Sequence, residues 1–377
     1  MHRRKIKILH VVGGMRQGGI ETWLMNVLRH IDCGHFQCDF LVHTEEPCAY
    51  DEEIRRRGSK IIPCLDPHNP WRYAQNFKKL MKEFGPYDVV HSHVHLFSGV
   101  VLRLASAAGV PIRVAHSHND TSELQKQSNF LRRGYYALMR AWIKRYATSG
   151  LGASNNAAAA LFGQNWCEDI RWKRLYYAID LSPFAEDVNS AAVRREMGFS
   201  ESAFIIGHVG RFVEQKNHAF LVEIASELVK RERSAKFLLV GEGSLRTSVE
   251  RRVSELGLSN NFCFAGTSSQ VARLMRGAMN VFLLPSHFEG LGLVLVEAQA
   301  SGIPCVLSDV VPQEADIVPS LMCRMPLSGS AAEWADAILN LHGRARESDR
   351  IKALATVAQS QYNILTNIRT LEGVYVG

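Results

Sequence analysis

The sequence predicts an α/β protein with two domains, each built on a parallel sheet with helices on both faces. Short apolar runs typical of buried strands alternate with amphipathic segments of helical period, and the connections between them are short. This alternation begins at residue 7, gives way to a polar stretch after residue 180 and restarts at residue 204. A chain of 377 residues is long enough for two domains of ordinary size, each with its own core.

The first half carries six predicted strands and five predicted helices. Since strands that alternate with helices form doubly wound sheets, ligands are expected at the carboxyl ends of the strands. The predicted strands are 7–12, 38–42, 60–63, 87–91, 112–116 and 150–154, and the predicted helices are 20–29, 50–57, 71–84, 99–108 and 129–146.

The second half restarts the pattern after a polar segment, 181–200, that we interpret as a linker. Further amphipathic patterns at 330–345 and 361–375 predict two more helices near the C-terminus. The predicted strands are 204–210, 236–240, 262–265 and 281–284, and the predicted helices between and after them are 218–231, 245–256, 271–277 and 293–300.

The stretch VFLLPSHFEGLGLVLVEAQASG, residues 281–302, carries the clearest functional pattern. A buried strand leads into a glycine-bearing turn and then into a helix N-terminus, whose free N–H groups suit a phosphate. Glu289 and Glu297 bracket this turn with seven residues between them, and carboxylates accept hydrogen bonds from sugar hydroxyls. The pattern indicates a nucleotide-sugar site, although a buried strand–helix unit with two ordinary glutamates has the same spacing.

Four segments resemble the retaining glycosyltransferases of family 4, which have the GT-B fold of two Rossmann-like domains facing a central cleft. Glu-x7-Glu within FEGLGLVLVEAQASGIPCV is similar to the family signature, and Gly-Arg-Phe-x-x-x-Lys-Asn from residue 210 resembles its arginine–lysine pair. GGIE at 18–21 resembles the family's glycine loop, and VAHSHN at 114–119 resembles the segment with a functional histidine. Tyr177-Ala-Ile-Asp occupies the place of the family's Asn-Gly-Ile/Val-Asp and departs from it in the first two positions.

The resemblance implies a role for each candidate residue. Arg211 and Lys216 would neutralise the leaving diphosphate, Glu289 would bind the donor sugar, and Glu297 would bind the ribose. His118 is the position we match to the functional histidine, with His116 as the second choice. The remaining donor-binding positions are Gly18, Gly19, Gly241, Gly266, Thr267, Ser286, Gly290, Leu291, Gly292 and Leu293.

By the same resemblance, residues 1–180 form an acceptor-binding domain and residues 181–355 form a donor-binding domain. Residues 356–377 are expected to form a helix that crosses back to the first domain. No cofactor is expected, because the nucleotide-sugar is a substrate.

We also expect no catalytic metal, because no Asp-x-Asp follows a strand and two cations occupy the leaving-group site. The alternative is a metal site formed by five histidines at two strand ends, although no carboxylate lies close to them in sequence. These histidines are His91, His93, His95, His116 and His118. The eight cysteines form no C-x-x-C pair, which favours reduced structural thiols over a zinc site or a disulfide framework.

The net charge of +7 suits anionic ligands or an anionic membrane surface, but it is too small to argue for nucleic acid. Residues 129–146 form a basic helix in which Arg132, Arg133, Arg140, Lys144 and Arg145 alternate with aromatic side chains. A core-packed helix with a solvated basic face is the alternative. No apolar run reaches the roughly 18–20 residues of a membrane span. We therefore expect a cytoplasmic protein, peripheral at the inner face of the cytoplasmic membrane.

The expected activity is transfer of a sugar from a uridine diphosphate sugar, with retention of configuration, to a lipid-linked or oligosaccharide acceptor in capsule or exopolysaccharide assembly. A nucleotide-sugar epimerase of the same fold and a non-catalytic nucleotide-sugar-binding subunit remain as alternatives. A nicotinamide oxidoreductase is disfavoured because the first glycine loop lacks G-x-G-x-x-G.

Overall fold

The chain divides into two compact units. The computed structural model describes residues 4–16, 18–119, 121, 129–342 and 347–377. Unit 1 comprises Met1–Ala178 and Ile364–Gly377, and unit 2 comprises Ile179–Asn363. The division after Ala178 lies two residues before the predicted boundary at residue 180. The division after Asn363 lies eight residues after the predicted boundary at residue 355.

Unit 1 contains a parallel sheet of seven strands in the order β3-β2-β1-β4-β5-β6-β7. The order reverses between β1 and β4, because the chain winds outward from the centre in both directions. The strands are β1 Ile6–Val12, β2 Phe36–Val42, β3 Ile61–Pro63, β4 Val89–Ser92, β5 Ile112–Ser117, β6 Ser149–Gly152 and β7 Trp172–Arg174.

Helices follow most of these strands and cover both faces of the sheet. Alternate residues of β1 face opposite sides, so that Ile8 and Val12 enter one core while Leu9 and Val11 enter the other. The helices are α1 Gly19–His30, α2 Asp51–Arg56, α3 Pro70–Phe84, α4 Ser98–Ala107, α5 Phe130–Tyr146 and α6 Asn155–Phe162.

Unit 2 contains a parallel sheet of six strands in the order β10-β9-β8-β11-β12-β13. The strands are β8 Phe204–Val209, β9 Ala235–Val240, β10 Phe262–Gly266, β11 Val281–Leu284, β12 Cys305–Ser308 and β13 Met322–Met325. The helices are α7 Ser182–Ala185, α8 Ser190–Glu196, α9 His218–Arg231, α10 Arg246–Glu255, α11 Val271–Ala278, α12 Leu293–Ala300, α13 Ala331–Leu341 and α14 Glu347–Ala358.

The last helix, α15 at Ile364–Val376, belongs to unit 1 and packs against α1. The Trp23 indole nitrogen donates to Asn367 Oδ1 over 3.0 Å, and Asn367 Nδ2 donates to the carbonyl of Tyr176 over 2.8 Å. Leu371 is completely buried in the same core. The C-terminus is therefore an integral part of the first sheet's packing.

Two predictions about local structure are wrong. The segment 181–200 is not an irregular linker, because it forms α7 and α8 within unit 2, where Phe184 and Val193 are buried and Asn189 caps α8 by accepting from Ala192 N. The helix expected over 330–345 ends at Leu341. Strands β7, β12 and β13 were not predicted. Among the described helices, none combines the length and apolar character needed to cross a bilayer.

Candidate functional site

The predicted site residues on the loops after β8 and β11 lie where the strand order of unit 2 reverses. Strands β8 and β11 are neighbours at the centre of the sheet, and the chain leaves them in opposite directions. In doubly wound sheets the crevice at this point, beyond the carboxyl ends of the strands, is the usual ligand site. The loop after β8 carries Arg211 and Lys216, and the loop after β11 carries Glu289.

Arg211 and Lys216 lie five residues apart on one irregular loop, but their surroundings differ. Arg211 is exposed, and its guanidinium makes no ion pair with any residue that the structure describes. Lys216 ends a short turn, Glu214–Lys216, and its side chain is only 14% exposed. Gly210 makes room for it, since a Cβ there would lie 3.0 Å from Lys216 Cε. One cation is therefore available to an anionic ligand, while the other is held inside the site.

Lys216 is held by Glu289. Its ammonium lies 2.6 Å from Glu289 Oε1, an oxygen that also accepts from Ser286 Oγ over 2.7 Å. Glu289 Oε2 accepts from Gln215 Nε2 over 3.3 Å, and the same amide donates to the carbonyl of Phe288. Glu289 would keep two neutral donors if Lys216 turned towards a phosphate, so its carboxylate does not depend on the lysine for its position.

The turn after β11 leads into an uncapped helix. Gly292 adopts φ +77° and ψ 53°, a left-handed conformation that glycine tolerates without a steric penalty. No side chain caps α12; the N–H of Leu295 donates to the carbonyl of Gly292, so the N–H groups of Leu293 and Val294 are the ones available to a ligand. The predicted residues Gly290, Leu291 and Leu293 form this turn. The local geometry of this turn therefore suits a phosphate.

Glu297 lies on α12 among buried apolar neighbours such as Val296 and Ala298. No described residue makes an ion pair or hydrogen bond with its carboxyl group. Burial raises the pKa of Glu297 to about 7, because the charged form loses solvation that no partner replaces. An unpaired carboxyl with a raised pKa beside a ligand crevice is typical of a functional group.

The structure places the other three unit 2 candidates at neighbouring strand ends. Gly241, after β9, approaches the β8 loop so closely that a Cβ would lie 2.0 Å from the carbonyl oxygen of Gly210. Its N–H donates to the carbonyl of Gly266, over 2.7 Å, at the end of β10. Thr267 is the residue directly after β10, which is an edge strand, and it is exposed. Gly241 thus lies beside the Arg211 loop, whereas Gly266 and Thr267 lie two strands from it.

Gly18, Gly19 and the predicted histidines lie in unit 1. Gly18 immediately precedes α1, and Gly19 begins it. A Cβ at Gly19 would lie 3.8 Å from the ring of Tyr177, which in turn stacks on His118 with ring centroids 5.6 Å apart. The glycine loop and the candidate histidine therefore share Tyr177 as a neighbour.

Both ring nitrogens of His118 have partners. Nδ1 lies 2.7 Å from the Tyr177 hydroxyl, and Nε2 lies 2.9 Å from His93 Nδ1. Burial lowers the pKa of His118 to about 3, and electrostatic repulsion from His95 is a smaller cause that lowers it in the same direction. His118 is thus neutral at physiological pH, and each of its nitrogens is already engaged.

The remaining histidines continue this arrangement. His93 Nε2 lies 3.0 Å from His10 Nδ1, and a second pair of contacts joins Tyr375 to His91 over 2.7 Å and His91 to His116 over 3.2 Å. The Nε2 of His116 is buried without a hydrogen-bond partner. Burial is the main cause that lowers the pKa of each of these histidines.

Two sets of three rings have the geometry to hold a metal ion. They are His10, His91 and His93, and His93, His116 and His118, and within each set the potential ligand atoms lie within 4.8 Å of one another. His95, which the sequence grouped with them, instead contacts Thr121 Oγ1. Neutral imidazoles suit borderline metals such as zinc, but no acidic residue belongs to either set.

Sequence reasoning missed four residues that complete these arrangements. His10 is hidden in the apolar run of β1, and Tyr375 lies some 280 residues from its partner His91. Tyr177 gave one signal, its departure from the asparagine of the family motif. Gln215 gave none, because a side chain that braces a turn more than 70 residues away leaves no local pattern.

Comparison with known sequences identifies the class of protein. The model of the glycosyl transferases group 1 family matches residues 189–342, and the model of glycosyltransferase family 4 matches residues 17–163. Each match lies within one structural unit. The chain therefore belongs to the glycosyltransferase family defined by these models.

Three relatives have more specific names. EpsF of Bacillus subtilis (strain 168), named as a glycosyltransferase, is 37% identical over 100% of this chain and 97% of its own. A UDP-Gal:alpha-D-GlcNAc-diphosphoundecaprenol alpha-1,3-galactosyltransferase of Escherichia coli is 26% identical, covering 62% of this chain and 60% of its own. CapH of Staphylococcus aureus, a capsular polysaccharide biosynthesis glycosyltransferase, is 25% identical, covering 81% and 82%.

A solved structure supports the fold. HepE of Anabaena, crystallised with UDP, matches 99% of this chain and 100% of its own with a TM-score of 0.79 at 18% identity. This likeness, together with the two sheets, confirms the predicted fold of two Rossmann-like parallel-sheet units of the GT-B class.

Proposed function

We propose that the protein transfers a sugar from a nucleoside diphosphate sugar to a glycan or lipid-linked acceptor, with retention of anomeric configuration. The observation that carries this proposal is the set of groups around the uncapped end of α12. The exposed Arg211, the nearly buried Lys216 and the backbone N–H groups at the start of α12 suit a diphosphate, while Glu289 and the unpaired carboxyl of Glu297 suit hydroxyl groups.

The chemistry requires a place for the charge that leaves with the nucleotide. As the bond from the anomeric carbon to the diphosphate oxygen breaks, negative charge grows on the diphosphate. Arg211 can grip an oxygen pair bidentately, and Lys216 can add a point charge once it turns from Glu289. Fixed cations and helix N–H groups stabilise such charge without a metal ion. We therefore propose that transfer is independent of a divalent metal.

Retention follows most simply from attack on the face that the diphosphate leaves. The acceptor oxygen forms its bond to the anomeric carbon on that face, and its proton passes to the departing phosphate oxygen. This route needs no carboxylate nucleophile, and Glu289 still accepts from Ser286 and Gln215 once Lys216 has turned away. The role of Glu289 would be to accept hydrogen bonds from the donor sugar.

Uridine diphosphate is the nucleotide we favour. HepE was crystallised with UDP and with UDP-glucose, and the related Escherichia coli enzyme is named for UDP-galactose. Glu297 would accept from the ribose hydroxyls, which are common to all ribonucleotides. The choice of base therefore rests on these related proteins and on the sequence resemblance.

The acceptor is proposed to be a lipid-linked sugar used in cell-surface polysaccharide assembly. The Escherichia coli relative is named for a diphosphoundecaprenol-linked acceptor, and CapH is named for capsular polysaccharide biosynthesis. Such an acceptor lies at a membrane, and α5 offers a surface for it. Phe130 and Leu131 are 86% and 80% exposed beside Arg132, while Met139 and Ile143 anchor the other face of the helix in the core. We propose peripheral association with anionic lipid at the cytoplasmic face.

A donor panel tests the reaction. The protein is incubated with uridine, guanosine and adenosine diphosphate sugars and an undecaprenyl diphosphate sugar, and the products are separated. Free UDP together with a glycosylated lipid is expected. A changed sugar on an intact nucleotide would instead identify an epimerase, and saturable binding of UDP-sugar without turnover would identify a binding subunit.

A further inference from the structure

Four groups in unit 1 form one continuous hydrogen-bonded chain. The Tyr177 hydroxyl contacts His118 Nδ1, His118 Nε2 contacts His93 Nδ1, and His93 Nε2 contacts His10 Nδ1, over 2.7, 2.9 and 3.0 Å. His118 and His93 each have two neighbours in this chain, and each uses one ring nitrogen for one neighbour and the other nitrogen for the second. The chain runs from the glycine-loop side of the unit, where Tyr177 meets Gly19, into the centre of the sheet at β1.

The protonation states of the three rings are linked. A neutral imidazole has one N–H donor and one bare acceptor nitrogen. Each contact in the chain therefore needs a donor on one side and an acceptor on the other, so choosing the tautomer of one ring fixes the other two. Only two arrangements satisfy all three contacts, one with every proton on Nε2 and one with every proton on Nδ1.

Tyr177 selects between these arrangements. A phenol is a stronger acid than the N–H of a neutral imidazole, so its hydroxyl is the better donor to a bare ring nitrogen. Burial raises the pKa of Tyr177, which keeps the proton on its oxygen. With Tyr177 donating to His118 Nδ1, His118 and His93 both carry their protons on Nε2.

We propose that Tyr177 is a positioning residue for sugar transfer, which fixes the ring orientation of His118 and keeps its proton on Nε2 through the chain with His93 and His10. The part of this inference that concerns turnover rests on the proposed function. The part that concerns the tautomer of His118 does not, because the tautomer is a property of the unliganded protein. The tyrosine replaces the asparagine of the family motif, so the device belongs to this chain's own sequence.

The same nitrogens could ligate a metal, and this is the structural alternative. His93 Nδ1 and His118 Nε2 are 2.9 Å apart, the separation of a direct hydrogen bond in which one nitrogen carries the proton. A metal ion would take the lone pairs of both nitrogens and remove that proton. Metal binding and the proposed chain therefore exclude each other at this contact, and one sample can distinguish them.

The test is nitrogen NMR on the full chain with isotope-labelled histidine, with His118 assigned by loss of its signals in His118→Gln. Protonated and bare ring nitrogens of a neutral imidazole resonate far apart. In the unsubstituted protein we expect a neutral His118 protonated on Nε2, with scalar coupling across the hydrogen bond to His93 Nδ1. Protonation on Nδ1, or a stoichiometric transition metal in the purified protein, would overturn the proposal, and the metal analysis requires no variant.

Two tyrosine variants separate positioning from packing. Tyr177→Phe keeps the ring stacked on His118 and removes only the hydroxyl. Tyr375→Phe is the matched control, since it also removes a hydroxyl 2.7 Å from a buried histidine, but its partner His91 leads to His116 and not to His118. We expect only Tyr177→Phe to move the proton of His118 and to lower kcat, by about 2- to 10-fold, with little change in KM for the donor.

The outcomes are distinct. An unchanged His118 tautomer in Tyr177→Phe, or equal losses of kcat in both variants, would refute a positioning role for Tyr177. A moved proton with unchanged kcat would refute the link to transfer. If no donor supports turnover, the proposed function fails, while the tautomer measurement still decides whether Tyr177 controls His118.

Discussion

The ammonium of Lys216 lies 2.6 Å from Oε1 of Glu289, across the two loops that leave the centre of the second sheet. Both side chains are nearly buried, at 14% and 7% exposed. A buried pair of this kind is costly to desolvate and is weak evidence for stability. It does keep a cation next to the crevice without leaving it unpaired. Donor binding would exchange one anionic partner of Lys216 for another.

Removal of Lys216 should therefore affect turnover more than donor affinity. Lys216→Ala should lower kcat by about 100- to 1,000-fold, or roughly 2.7–4 kcal/mol, because the lost charge matters most as the leaving group develops negative charge. Arg211→Ala should act in the same direction. Steady-state kinetics with the identified donor measures both effects, with folding checked by thermal melting.

The matched control is Lys230→Ala. Lys230 also makes a 2.6 Å ion pair, with Glu227, but on the exposed surface of α9. Its loss should change neither kcat nor KM. If Lys216→Ala raised only KM while Glu297→Gln abolished turnover, the roles assigned to these two residues would be reversed.

Glu297 should give donor binding a pH dependence near neutrality. Its pKa of about 7 means that the carboxyl becomes protonated as the pH falls through that value, and a protonated carboxyl accepts hydrogen bonds less well. KM for the donor should therefore rise between pH 8 and pH 6, and Glu297→Gln should remove this dependence. Glu297→Gln should weaken donor binding above pH 7 by about 1–3 kcal/mol. A KM profile with the same slope in both proteins would contradict the assignment.

The same carboxyl makes a prediction for stability. Because its folded pKa is raised above the unfolded value, Glu297 contributes stability at low pH that is lost as the pH rises through about 7. Glu297→Gln should therefore melt at a higher temperature than the unsubstituted protein at pH 8, with the difference shrinking towards pH 5. Glu223→Gln, on the exposed surface of α9, serves as the control and should show no such trend.

Transfer should survive removal of divalent metals. Arg211, Lys216 and the first turn of α12 supply the positive charge that a magnesium or manganese ion would otherwise provide. Initial rates measured with and without a strong chelator should agree. A loss of activity that added magnesium or manganese restores would show that the leaving group needs a metal.

Helix α5 should mediate binding to anionic membranes. Converting Arg132, Arg133 and Lys144 to glutamate reverses the charge at both ends of the helix, including the end that carries the exposed Phe130 and Leu131. Sedimentation with vesicles containing an anionic phospholipid should show weaker binding by this variant. Added salt should weaken binding by the unsubstituted protein, because exposed charges are screened over about 10 Å at 0.1 M.

A charge-matched variant controls for the change in net charge. Arg195, Arg251 and Arg252 are exposed in unit 2, so converting them to glutamate alters the total charge equally. That variant should bind vesicles nearly as well as the unsubstituted protein. Equal binding by both triple variants and the unsubstituted protein would remove α5 as the docking surface.

Much of the fold was predictable because the signals are local. Apolar runs and helical periods predicted α9 and α12 with the bounds that the structure has, and they predicted β8 and β11 to within one residue at each end. The edge strands β7 and β13 were missed because their sequences, WKR and MCRM, contain charged residues that interrupt an apolar run. The segment 181–200 looked irregular, yet Val193 and Phe184 find burial against distant residues of unit 2.

The sequence by itself determined the residue types and spacing of the donor site. Glu-x7-Glu, the glycine turn and the arginine–lysine loop lie within continuous segments, and helix and strand geometry converts their spacing directly into position. Tertiary structure decided which of these groups pair. Lys216 meets Glu289 across 73 residues, while the carboxyl group of Glu297 has no partner among the described residues. The histidine chain likewise depends on β1, β4 and β5 being neighbours and on Tyr177 returning to them. Such contacts arise from packing between distant segments, and no local pattern encodes them.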